Sequence, residues 1–244
     1  MFPIRDHNPS RKTPWVTLTL IGVNVAVFLL LTLPLNDRQL IALYTEYGVT
    51  PARVEALDYL TAMFLHGGVM HLLGNMLFLW IYGDNLEEEM GPLPFLAFYL
   101  ATGVVATWLH VVFSPGSTVP LVGASGAIAG VMGGYLLLYP KAKIDVLFII
   151  VIIPKIWPIP AWIVLAIWFA LQLVNGTMTV GSGAGVAYWA HIGGFVAGLI
   201  GTLPWFLKEG AARWWQKTDG HPPHPDAEYG RLSSTSIPTV RRRK

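Results

Sequence analysis

Six long apolar runs punctuate this chain, over 15–33, 64–82, 93–113, 122–139, 159–174 and 186–206. A helix needs roughly 20 such residues to cross the hydrocarbon of a bilayer, and within lipid every backbone polar group must find a partner inside protein. The pattern predicts an all-α polytopic membrane protein with a bundle of six transmembrane helices. Charge agrees, since 12% of the residues are charged against roughly 25% in a soluble domain. Trp15, Trp80, Trp157, Trp162, Trp189 and Trp205 stand near the ends of the runs, where amphipathic rings favour the headgroup region. With no cysteine in the chain, disulfides, thiolate metal sites and a cysteine nucleophile are excluded. No basic footprint for nucleic acid stands out, and nothing in the pattern calls for a metal or another cofactor.

Orientation follows from the basic residues. With six spans, one side receives the N-terminal tail, the connections near 83–92 and 140–158, and the C-terminal tail. That side holds Arg5, Arg11, Lys12, Lys141, Lys143, Lys155 and every Lys and Arg from Lys208 onward, while the other keeps Arg38 and Arg53. The asymmetry predicts both termini in the cytoplasm, and the setting expected for this multi-pass protein is a bacterial plasma membrane. The first run follows basic residues, but Leu33-Pro34-Leu35-Asn36-Asp37 offers no small-residue cleavage pattern, so an uncleaved helix is expected. Residues 144–153 are apolar but too few to span, which fits an interfacial or re-entrant piece. The resulting division is a tail over 1–14, a membrane domain over 15–206 and a basic tail over 207–244. The last is expected to be disordered because it is rich in Pro, Ser and charge; its basic end suits either contact with anionic lipid or a plain topology signal.

Polar side chains inside spanning segments are costly and mark candidate sites. Here they are His66, His71, His110 and His191, with the amides Asn24, Asn75 and Gln172; no Asp, Glu, Lys or Arg lies well inside a run. In His66-Gly-Gly-Val-Met-His71-Leu-Leu-Gly-Asn75, His71 and Asn75 share a helix face, either as interhelical hydrogen-bond glue or as a site. Gly123-Ala-Ser125-Gly126-Ala-Ile-Ala-Gly130 opens the fourth run. A serine there sits among the unpaired N–H groups of a first helical turn, where a developing oxyanion is stabilised. By itself the segment also fits a small-residue packing face. In the sixth run His191 heads a stripe through Gly194, Gly198 and Gly201. The glycine face of the fourth run is its natural partner, and contact of the two would bring Ser125 within hydrogen-bond reach of His191. A satisfied structural histidine or a haem ligand also fits His191 alone, although haem would want a second axial ligand at matching depth. Runs two, four and six all enter from the outer side, so His71, Asn75, Ser125 and His191 are expected at one depth.

These residues, in this order and on alternate helices, resemble the rhomboid intramembrane serine proteases. The resemblance extends over nearly the whole membrane region and implies a rhomboid-like six-helix bundle. It implies Ser125 as nucleophile and His191 as general base of a dyad, with His71, Asn75 and the Ser125 backbone N–H as oxyanion hole. His66, Gly123 and Gly126 would support the site, and Gly130, Gly194 and Gly198 would pack the helices. The implied partners are transmembrane protein substrates and membrane lipid, with no nucleic acid and no metal. Four residues after the serine the family often carries an aromatic that packs on the histidine, whereas Ala129 stands here; Tyr188 or Trp189 is the expected substitute. The first outer loop, about 34–62, lacks the Trp-Arg pair of some members. One rival reading is a non-catalytic rhomboid-like binder of membrane helices, for which loss of Ser125 or His191 is the usual sign. Another is a channel or transporter, which would more often place charge at mid-membrane.

Overall fold

The computed structural model describes residues 2–150, 152–178, 187–223, 225 and 227. In chain order the elements are β1 (Phe2–Asp6), α1 (Trp15–Val27) running on through a π-helical turn at Phe28–Thr32, and α2 (Asp37–Tyr47). Then come α3 (Asp58–Thr61) with a 3-10 turn at Ala62–Phe64, α4 (Val69–Met90), α5 (Pro92–Phe113) and α6 (Ser125–Leu138). The strands β2 (Lys143–Ile150) and β3 (Ile153–Pro160) precede α7 (Ala161–Met178), α8 (Tyr188–Lys208) and α9 (Ala212–Thr218).

Four of the predicted runs form helices long and apolar enough to cross a bilayer unaided: Trp15–Thr32, Pro92–Phe113, Ala161–Met178 and Tyr188–Lys208. The protein is therefore an integral, multi-pass membrane protein. The second run enters as a broken pair, Asp58–Phe64 bent by 97° against Val69–Met90. The fourth is shorter than expected: α6 has 14 residues, about 21 Å at ~1.5 Å per residue, against ~30 Å of hydrocarbon. Its shortness is tolerated because α6 is the central helix, with residues from Gly126 to Tyr135 buried by protein. At that length α6 cannot reach both faces of the hydrocarbon.

The contact that centres the bundle is between α6 and α8. A Cβ placed on Gly194 would strike the carbonyl oxygen of Gly126, one on Gly198 the carbonyl of Gly130, and one on Gly133 the carbonyl of Phe195. Backbone meets backbone, at a separation open only to glycine and suited to weak Cα–H···O contacts. Gly201, on the same predicted stripe, packs instead on Phe98 of α5.

Beyond the C-terminal end of α6, three segments named from the sequence take definite structure. Within the N-terminal tail over 1–14, β1 pairs antiparallel with β2, Phe2 opposite Leu147 and Asp6 opposite Ile144. Arg5 and His7 both reach the Asp145 carboxylate at 2.7 Å. The apolar stretch over 144–153 is a β-hairpin, with β2 and β3 paired from Lys143–Pro160 to Ile150–Ile153. Pro154, Pro158 and Pro160 confine β3 to the sheet edge. Within the tail predicted to be disordered, residues 207–223 are folded onto the bundle. Helix α8 continues to Lys208, and α9 folds back so that the indole N–H groups of Trp214 and Trp215 donate to the carbonyls of Leu138 and Leu137 at the end of α6. The Arg241–Lys244 end of the predicted disordered tail lies outside the described residues.

The acidic run after α4's apolar face is used rather than merely solvated. Pro14 supplies no side-chain cap to α1. The Glu87 carboxylate instead accepts from the Val16 and Thr17 N–H groups at 2.9 and 2.8 Å and from the Thr17 hydroxyl at 2.9 Å. A carboxylate of one helix thus caps the positive end of another. Asp84 accepts from the Ser10 N–H and Glu88 from the Arg11 N–H.

Asp6 closes this network, accepting from the Asn85 amide at 2.9 Å and the Tyr135 hydroxyl at 3.3 Å. Burial, with the neighbouring Asp84 charge, pushes its carboxyl up from 3.8 to about 7. The folded chain therefore holds this proton more tightly than the unfolded chain, so the contribution of Asp6 to stability is greatest at acid pH and is lost as pH rises through about 7. Thermal melting in detergent should accordingly be lower at pH 8 than at pH 5, and Asp6→Asn should remove most of that difference. An undiminished difference in the variant would assign the ionisation to another group.

Candidate active site

The loop before α6 is fixed from two sides. Val49 and Leu121 exchange backbone hydrogen bonds at 3.0 and 2.8 Å, and the Gly123 N–H donates to the Ala62 carbonyl at 2.9 Å. Gly123 itself has φ +128°, and a Cβ there would stand 2.7 Å from Cε1 and Nε2 of His71. Both conditions require glycine. They allow the chain to turn beneath His71 and begin α6 at the next residue but one, so that Ser125 is the first helical residue.

Ser125 and His191 come together there: Oγ lies 2.8 Å from Nε2. They stand on α6 and α8 beside the Gly126–Gly194 contact, so the backbone approach sets their separation. The N–H groups of the first turn of α6 have no partner within the helix. A cavity of about 410 Å³ opens over the pair, lined by His71, Asn75, Phe78, Met132, Trp168 and the pair itself, among others. His71 and Asn75 project from one face of α4 into it, as their spacing predicts. The Gly67 N–H donates to Nδ1 of His71 at 3.3 Å, which makes Nδ1 an acceptor. The neutral ring then carries its proton on Nε2, on the Gly123 side. Asn75 is buried, yet its amide nitrogen has no hydrogen-bond partner among the described residues. An unsatisfied buried donor costs about 1–3 kcal/mol and is suited to receive an anion or a carbonyl oxygen from a guest.

Two expected supporting residues lie behind this surface. His66 is buried at the α3–α4 bend, its ring edge-on to His71 at 5.1 Å, its carbonyl accepting from the Tyr44 hydroxyl at 2.9 Å. Gly126 packs on Ala106 of α5. The expectation that Tyr188 or Trp189 orients His191 is corrected: Trp189 stacks on Phe113 at 4.0 Å, and Tyr188 faces Gly176 of α7. The ring beside His191 belongs to Trp168 of α7, at 5.8 Å between centroids, and Nδ1 of His191 lies 2.8 Å from Oε1 of Gln172. Sequence reasoning missed this pair, although a signal was present. Gln172 comes late in the fifth run, and with six spans that end is expected at the depth of His191.

A helical membrane protein with a serine–histidine pair sunk beneath one end of its bundle is the class these features define. The chain belongs to the rhomboid family, whose domain model matches residues 53–207. Among curated relatives it is similar to rhomboid protein 1, mitochondrial, of Saccharomyces cerevisiae, at 29% identity over 81% of this chain and 55% of that protein. Rhomboid protease GluP of Bacillus subtilis is 36% identical over 50% of this chain and 24% of its own length. The human presenilin-associated rhomboid-like protein, mitochondrial, is 27% identical over 82% of this chain and 49% of that protein. The chain thus spans about half the length of the mitochondrial relatives it matches and about a quarter of GluP.

Because Gly123 combines a positive φ with a close histidine, Gly123→Ala is expected to destabilise the protein by about 1–3 kcal/mol. Gly22→Ala on α1, where nothing stands within 4 Å, should cost nothing. Unfolding in mixed micelles, followed by circular dichroism, checks the contrast.

Proposed function

We propose that the protein is an intramembrane serine endopeptidase that hydrolyses a peptide bond in or next to a transmembrane helix of another membrane protein, near the outer face of the bilayer. The observation that carries this reading is the 2.8 Å contact of Ser125 Oγ with His191 Nε2 at the first turn of α6. The hydroxyl donates to the unprotonated Nε2, which takes the proton as Oγ attacks the scissile carbonyl. The tetrahedral oxyanion then meets the Ser125 N–H, the His71 Nε2–H and the otherwise unpartnered Asn75 amide. Each such donor is worth about 10² to 10³ in rate. The imidazolium returns its proton to the leaving amine, and a water entering the cavity repeats the cycle to release the acyl group.

A helical peptide bond is shielded by its own hydrogen bonding, so substrates should carry Gly, Pro or other helix-weakening residues at the cleavage point. GluP is named a protease, which supports the same chemistry here. The retained serine and histidine, placed at hydrogen-bonding distance, weigh against a non-catalytic binder. The positive-side bias supports cytoplasmic termini with the cavity on the opposite face. Relatives named as mitochondrial stand beside one from a bacterium, so a bacterial plasma membrane rests on the sequence expectation alone.

Labelling of the detergent-solubilised protein with a fluorophosphonate tests the proposal. The wild type should be labelled, while Ser125→Ala should be blank and His191→Ala reduced by about 10³-fold or more. Equal labelling of all three would sink the assignment.

A further inference from the structure

Gln172 is the one feature of the site for which the hydrolytic scheme has assigned no task. It is 9% exposed on α7, and a buried amide in a lipid-facing helix is retained only where its hydrogen bonds are used. We propose that Gln172 is the positioning residue of His191, holding the ring in the tautomer whose Nε2 lone pair faces the Ser125 hydroxyl.

The direction of every hydrogen bond follows from one fixed point. The backbone carbonyl of Trp168 can only accept, and it lies 3.3 Å from the Gln172 side-chain nitrogen. That contact pins the amide with its NH₂ toward Trp168 and its Oε1 toward His191. Oε1 can only accept, so Nδ1 of His191, 2.8 Å away, must carry the ring proton. A neutral imidazole has one such proton, which leaves Nε2 bare at 2.8 Å from Ser125 Oγ. The relay runs one way, from serine hydroxyl to imidazole, to amide, to backbone carbonyl.

Trp168 and Gln172 are four residues apart and share a face of α7. The Trp168 ring packs on His191 at 5.8 Å between centroids. One turn of α7 thus provides both a ring wall and a hydrogen-bond acceptor for the histidine. A neutral amide is the suitable acceptor at this depth, since an unpaired carboxylate would carry a heavy desolvation cost. The amide takes no proton during the reaction; it orients the ring and its dipole favours the transient imidazolium.

This inference rests on the reading of Ser125 as nucleophile, and the test separates the two. The second-order reaction of purified protein with a fluorophosphonate is resolved into a maximal inactivation rate and an apparent affinity. Gln172→Leu should lower the maximal rate about ten- to hundred-fold and leave the affinity within about twofold, with a melting temperature equal to the wild type or higher. Gln172→Glu, which offers an oxygen to Nδ1–H whether or not it is protonated, should restore the rate to within about threefold of wild type. An amide that merely packs would leave the maximal rate of Gln172→Leu unchanged, and that result overturns the proposal. Should the leucine variant fail to fold, Gln172→Asn decides in the same way, because it keeps the amide but withdraws it by one methylene. A labelled wild type with a blank Ser125→Ala and an unaffected Gln172→Leu removes only the role of Gln172. Labelling that survives in Ser125→Ala removes the underlying hydrolytic reading.

Discussion

The structure depends on the contact of two backbones. Helices ordinarily pack with axes about 8–10 Å apart, a distance set by the side chains between them. Where α6 and α8 cross there are none: Gly194 lies on the Gly126 carbonyl and Gly198 on the Gly130 carbonyl. Serine is short and histidine is not long. Only with the backbones drawn together does Ser125 Oγ come within 2.8 Å of His191 Nε2. Any β-carbon in that seam would part the helices at the level where the two side chains meet.

Around this seam the other elements act as braces. Helix α5 fills the far side, with Ala106 against Gly126 and Thr102 against Gly130. Helix α4 contributes the His71–Asn75 face, and the bend before it brings Ala62 under Gly123. Helix α7 holds the histidine through Trp168 and Gln172. At the opposite end, the three-stranded sheet, the Glu87 cap and the two tryptophans of α9 close the bundle through polar contacts, so that one end of the protein is tied while the other stays open as a cavity.

Much of this was legible in the sequence because it obeys short-range periodicity. Apolar runs, the i, i+4 relation of His71 and Asn75, and the glycine stripe after His191 are local patterns, and parity of the spans placed them at one depth. What was not legible depends on long-range pairing. Residues Phe2–Asp6 look like a tail because their partner strand lies about 140 residues further on, as the Arg5–Asp145 pair shows. The stretch 144–153 shows only uniform hydrophobicity, which does not separate a hairpin from an interfacial helix. Trp214 and Trp215 sit in a polar context whose meaning appears only when α6 ends beside them. The shortness of α6 was masked because the apolar loop residues before Ser125 extend the run beyond the helix. Gln172 was visible as a polar residue, but its use required the span parity that had been applied to the serine and the histidines.

The distances in sequence between bonded groups also impose an order of assembly. The first turn of α1 is complete only when Glu87, some 70 residues later, is in place. The strand β1 waits twice as long for β2. Ser125 enters the membrane 66 residues before His191, and the glycine seam that joins them needs α8, the last long helix of the bundle. A chain halted at any earlier span therefore carries its serine without a partner, and the pair exists only once the whole bundle has closed.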